Sequence, residues 1–182
     1  MGLNSSRRID HRKNTNADLQ AVNSETNKLL AERYLGTATS EDFVDWAVAC
    51  LESNLDSKNI RILASLQKPL HSSEVDDYFN RCLQDLGWTM PGRQECLLEY
   101  ARSLAKQILS GDLTPVDGCR KMYRLVVALE YPRELMAWLY LDEGMDWNYG
   151  ELQGADLDNA ILSEANRLVQ DGARFDLNDS VL

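Results

Sequence analysis

Histidine is almost missing from this chain. The two present, His11 and His71, have no Cys, Asp or Glu at metal-ligand spacing, and a His-based triad would have to recruit one of them. His71 reads as a solvated residue of the Pro69–Ser73 connection. Phosphate-cradling glycine loops, dinucleotide fingerprints, nucleophile elbows and His-Glu-x-x-His pairs are absent as well. These absences point away from an enzyme and from a bound metal or cofactor. Cys-x-x-Cys spacing is also missing: Cys50, Cys82, Cys96 and Cys119 lie far apart, each within a helical pattern. With no apolar signal segment, they read as reduced, buried thiols of a cytoplasmic protein. No run of residues reaches the roughly 20 apolar positions that a membrane span takes.

Positive charge is scarce. The 19 Lys and Arg face 29 Asp and Glu, a formal net charge of −10. Affinity for nucleic acid comes from cations that neutralise phosphate, so a nucleic-acid partner is excluded and a basic protein partner favoured. The cations present are unevenly placed. Arg7, Arg8, Arg12 and Lys13 against Asp10 make residues 1–13 about +3 and leave residues 14–182 at −13. That head has too few apolar groups to offset the entropy of ordering, so residues 1–15 are expected to be a disordered basic tail. A single helical domain over 16–174 and a flexible C-terminus over 175–182 complete the expected organisation.

The opening "MGLNSSRR" fits an N-myristoylation pattern, with Gly2 as the acceptor, Ser6 at the favoured position and a basic cluster behind it. One acyl chain binds membranes marginally, and a polybasic patch would supply the second anchor. Membrane contact is expected only if Gly2 is acylated. The plainer reading is a chance match in an unstructured start.

What the sequence has in quantity is helical periodicity. Apolar residues recur at helical spacing nearly throughout, with no alternating run of β-branched or aromatic residues, and this predicts an all-α fold of about eight antiparallel-stacked helices. The predicted helices lie near 17–35, 41–53, 58–67, 74–86, 91–110 and 115–129, then from Pro132 and over 155–171. Val48, Leu109 and Val127 are assigned to inner faces, Pro91 to the first turn of the fifth helix, and Gly172 to the end of the last.

Two stretches share punctuation. Gly36, Ala38, Thr39 and Asp42 are echoed 75 residues later by Gly111, Leu113, Thr114 and Asp117. In the second copy Thr114 is an expected N-cap, Pro115 a first-turn residue and Asp117 the third position of the cap. The same offset carries Ile60 to Leu135, Leu63 to Trp138 and Leu29 to Leu104, which suggests two four-helix halves, 17–88 and 91–172. The motif is the chemistry of a helical corner.

Several acidic clusters have a local explanation. Glu41-Asp42-Asp45 and Glu74-Asp76-Asp77 fall in first turns, where the partial positive charge of a helix N-terminus favours carboxylates. The segment "YLDEGMDWNYGELQGADLD", Tyr140–Asp158, is different. It gathers Tyr140, Asp142, Glu143, Asp146, Trp147, Tyr149 and Glu151 without a basic residue, and Gly144, Gly150 and Gly154 are expected to keep it a loop. Aromatic contact area among carboxylates suits the docking of a cationic partner. In the alternative, Trp147 and Tyr149 fold back onto the core.

With its acidic helical body, the corner "LAKQILSGDLTPVDGCRKM" and the acidic loop before a terminal helix, the chain resembles small acidic all-helical bacterial proteins, some of them immunity proteins of toxin systems. The resemblance spans about Leu29 to Gly172 and implies a cytoplasmic protein that occludes a basic toxin domain, with no catalytic residues. The basic tail and the Gly2 pattern are not part of it.

Overall fold

The computed structural model describes the backbone of residues 16–146 and 154–178, and side chains over 21–145 and 154–171. Within them are eight α-helices and no strand: α1 Asn16–Leu35, α2 Ser40–Glu52, α3 Lys58–Ala64, α4 Ser72–Asp85, α5 Arg93–Ser110, α6 Pro115–Ala128, α7 Met136–Asp146 and α8 Ala155–Asn178. A 3-10 turn, Arg133–Leu135, leads into α7. The all-α fold class follows, and none of the described helices is long and apolar enough to cross a membrane.

Contacts sort the chain into two compact units. Among the described residues, one runs to Thr26 and resumes over Ser40–Trp88; the other takes Asn27–Thr39 and those from Thr89 onward. The divide after Trp88 falls where the sequence echo places it, but the second half of α1 goes with the later helices.

In the first unit α2, α3 and α4 pack against one another. The core is Phe43, Trp46, Ala47, Cys50, Ile60, Leu63, Val75, Phe79, Cys82 and Leu83, all buried. Phe43 and Trp46 each set an edge against Phe79 with ring centroids 4.9 Å apart, the arrangement that the ring quadrupole favours. The Trp46 indole would leave a buried donor idle without help from α1. Trp46 Nε1 donates to Thr26 Oγ1 at 2.8 Å, and Thr26 Oγ1 donates in turn to the Val22 carbonyl at 2.7 Å. Thr26 is 4% exposed, and its hydroxyl both accepts and donates a hydrogen bond.

In the second unit α6, α7 and α8 likewise pack against one another, and α5 lies against α6 and α8. Leu97, Tyr100, Leu104 and Ile108 of α5 are buried with Cys119, Met122, Leu125 and Val126 of α6, Leu135 of the 3-10 turn, Trp138 of α7, and Ile161 and Ala165 of α8. Gly118 is what allows α5 and α6 to approach: a Cβ there would fall on Cδ1 and Cγ1 of Ile108. The end of α1 joins this unit through Tyr100, whose hydroxyl donates to Glu32 Oε1 at 3.2 Å, and through Cys96 Sγ and the Asn27 carbonyl at 3.5 Å.

The repeated corner is repeated in hydrogen bonds. Gly36 N–H donates to the Arg33 carbonyl and Ala38 N–H to that of Glu32, at 3.1 and 3.2 Å; 75 residues on, Gly111 donates to Ile108 and Leu113 to Gln107, at 3.3 and 3.1 Å. Both glycines are left-handed, at φ +70° and +82°, the conformation that a Cβ disfavours. Thr114 Oγ1 then accepts from the Asp117 N–H at 3.2 Å and donates to the Asp117 carboxylate at 2.7 Å, capping α6. Leu135 and Trp138 occupy the same fully buried positions as Ile60 and Leu63. Beyond them the echo fails, because α4 begins at Ser72 and α8 only at Ala155.

Several expectations are corrected. Pro91 precedes α5, whose N-cap is Gly92. Helix α3 ends at Ala64, where the Ser65 N–H turns back to the Ile62 carbonyl, and not at Lys68-Pro69. Helix α8 does not stop at Gly172 but continues to Asn178; glycine lowers helix propensity without forbidding it. Val48, Leu109 and Val127 are exposed at 39%, 40% and 41%. Each is apolar by composition but lies on a stripe of its helix that faces away from the neighbours.

Candidate functional site

The acidic aromatic segment is divided by helix α7, which runs through Gly144 to Asp146 where a loop was expected. Gly144 is not among the residues with positive φ, so nothing in its backbone interrupts the helix. Tyr140, Asp142 and Glu143 therefore project from a helix. Tyr140 is 65% exposed and Glu143, three residues on, is exposed on the same face. Asp142 is half-buried, and its charge reaches the buried thiol of Cys119. The structure thus brings Tyr140 and Glu143 together and turns Asp142 aside from them, as a helix must with residues two apart. Asp146 ends the helix; its side chain lies outside the described residues, as do Trp147, Tyr149, Glu151 and Gly2.

Helix termini explain only part of the remaining acidic clusters, because Asp45, Asp76 and Asp77 fall beyond the first turns of α2 and α4 in which they were expected. Glu41 and Asp42 lie in the first turn of α2, Glu74 in that of α4, Asp156 and Asp158 in that of α8. Glu41 also pairs with Lys68 at 2.6 Å, and this partner holds its carboxyl below the ordinary range. Asp56 is lowered in the same way by Arg61, and Asp85 by hydrogen bonds from Ser57 and Asn59. On α8, Arg167 binds Glu164, Asp171 at 2.9 Å and the Glu134 carbonyl at 2.7 Å, which ties the helix to the turn before α7. No group of His, Cys, Asp and Glu among the described residues could hold a metal ion.

Nucleophilic chemistry has little to work with among the described groups. All four cysteines are free and buried. Burial pushes the thiols of Cys50, Cys82 and Cys119 up to about 12 and that of Cys96 to about 11, far from a thiolate at neutral pH. His71 sits exposed at the N-cap position of α4 and makes no side-chain cap hydrogen bond. A surface depression along α5, lined by Gly92, Gln94, Glu95, Leu98, Glu99 and Arg102, has its one cation already bound to Glu99.

Comparison with protein-family models, with curated proteins and with solved structures gives no match. The fold and surface define an acidic all-α protein in which the described part of the candidate site is a helical face bearing Tyr140 and Glu143.

Proposed function

We propose that this chain is a non-enzymatic protein-binding module, an immunity-type inhibitor that engages a basic partner, a toxin domain by class, through its acidic aromatic surface. The observation that carries the reading is Tyr140: an aromatic side chain 65% exposed on α7, with exposed Glu143 one turn away and further acids following in sequence. A tyrosine offers rigid contact area at small entropic cost, and the surplus of ten negative charges would steer a cationic surface toward it. Reduced, buried thiols fit a cytoplasmic setting.

The test compares two baits in lysate of the native cell at low salt, the wild-type chain and Tyr140→Ala/Glu143→Arg. The reading expects a basic protein retained by the wild type, released by raised salt, and retained at least tenfold less by the variant, as for loss of an interface anchor. Equal capture by both baits would overturn it.

A further inference from the structure

The exposed faces of α2 and α6 are opposite in charge and matched in spacing. On α2, Glu41, Asp45, Val48 and Glu52 are all exposed and follow one another at intervals of four, three and four, a single stripe along the helix. On α6, Arg120, Arg124 and Val127 are exposed at the same first two intervals, with exposed Lys121 beside them. Tyr131, 54% exposed, follows four residues later, just past the C-cap Leu129. One solvent-facing valine stands in each stripe at the same place, Val48 at 39% and Val127 at 41% exposure.

Among the described residues the basic stripe is uncompensated, in a chain rich in acids. Arg61, Lys68, Arg81, Arg102 and Arg167 each hold a carboxylate partner. No described carboxylate stands at ion-pair distance from Arg120, Lys121 or Arg124, although like charges three and four residues apart on a helix repel. At its end, Glu130 and Tyr131 both adopt positive φ, +59° and +62°, backbone that residues other than glycine rarely take, and this turn presents the exposed Tyr131.

We propose that the α6 stripe docks on the α2 stripe of a second copy of this chain. In parallel register Arg120 meets Glu41, Arg124 meets Asp45 and Val127 meets Val48. An antiparallel register can pair Arg120 with Asp45 and Arg124 with Glu41, but it sets Val127 on Ala38 and Val48 on Asp117, so only the parallel one satisfies every position. Lys68, which holds Glu41 at 2.6 Å, lies on an exposed pair and yields readily to a second cation. Two such stripes cover less than the area of a standard stable interface, so the association is weak, reversible and salt-sensitive. It does not depend on the basic-partner reading, which uses α7.

Sedimentation velocity of the full chain over a concentration series tests this. At low salt the dimer fraction should rise with concentration, and high salt should abolish the rise. Arg120→Glu/Arg124→Glu, and separately Glu41→Lys/Asp45→Lys, should each weaken association by roughly tenfold or more, as both ion pairs become repulsions. Mixing the two reversed chains should restore it, because each then carries the complement of the other. All four positions are exposed, and helical circular dichroism verifies that the variants fold. Oxidation of Val48→Cys mixed with Val127→Cys should give a mixed disulfide that neither chain gives alone. The proposal is overturned by a wild type that stays monomeric at low salt, by a dimer indifferent to charge reversal, or by reversed chains that do not recombine. Binding of an acidic peptide at Arg120 and Arg124 without self-association would likewise overturn it, assigning the stripe to another partner.

Discussion

Replacing Thr26 by Val keeps the shape of the side chain and removes one hydroxyl, and the effect should be much larger than the change in size suggests. The hydroxyl is the acceptor of the Trp46 indole N–H at 2.8 Å and sits 4% exposed inside the first unit. Trp46 is itself 5% exposed and packed edge-on against Phe79, so it cannot turn its N–H to water. Leaving a buried donor without its partner costs about 1–3 kcal/mol, reduced somewhat because the new methyl is itself content in an apolar site. For a chain of this length that is a fall in Tm of roughly 2–12 °C at about 2–4 °C per kcal/mol. Thr26→Ser is the control. It keeps both hydrogen bonds and loses one methyl, about 0.8 kcal/mol of burial. Urea unfolding followed by far-ultraviolet circular dichroism should rank wild type above Thr26→Ser above Thr26→Val. A cycle with Trp46→Phe sharpens the attribution, because once the donor is gone the valine should be nearly harmless on that background. The reasoning fails if Thr26→Val is as stable as wild type, or if its cost is the same with Phe at position 46.

Two further outcomes follow from the second unit and from the thiols. Gly118→Ala gains helix propensity worth about 1 kcal/mol but forces a Cβ onto Ile108, which is 2% exposed, so overpacking of about 1–3 kcal/mol should dominate and lower the urea midpoint, with partial rescue by Ile108→Val; a raised midpoint would show that the helices have room. The four cysteines should resist a thiol reagent near neutral pH and all react after unfolding. Because burial raises their values from 9.0 to about 11 or 12 in the folded state, their contribution to stability is complete below about pH 9 and is lost as pH climbs toward 12, which urea midpoints on either side of pH 9 would reveal.

Much of the helical framework was legible because it rests on local chemistry. Gly36 and Gly111 end helices through a backbone conformation that glycine alone adopts at little cost, and Thr114, Pro115 and Asp117 start one through bonds made within four residues. Such signals survive without knowledge of neighbours. The burial of Ile60, Leu63, Leu135 and Trp138 was legible for a related reason, since periodicity marks a face even before the face has a partner.

The candidate site was read less well. Three glycines suggested a loop from Tyr140 onward, yet helix α7 carries the chain past Gly144, because Leu135 and Trp138 anchor its start in the core and outweigh a propensity term of about 1 kcal/mol. That one difference separates Asp142 from Tyr140 and Glu143. Arg120, Lys121 and Arg124 attracted no notice in the sequence, where they are cations in a helix like any others. Their signal appears only once the described carboxylates are seen to stand away from them.

The sequence by itself determined the all-α class, the acidity, the position of the corners and the shared corner 75 residues apart, all of them consequences of composition or of contacts a few residues long. Only the tertiary structure decided which apolar residues remain outside, Val48 and Val127 among them, that Thr26 serves the indole of Trp46 twenty residues away, and that α1 is divided between two units. Those outcomes turn on which faces meet, and a helix of given sequence can bury any apolar stripe it has until a neighbour's shape selects one.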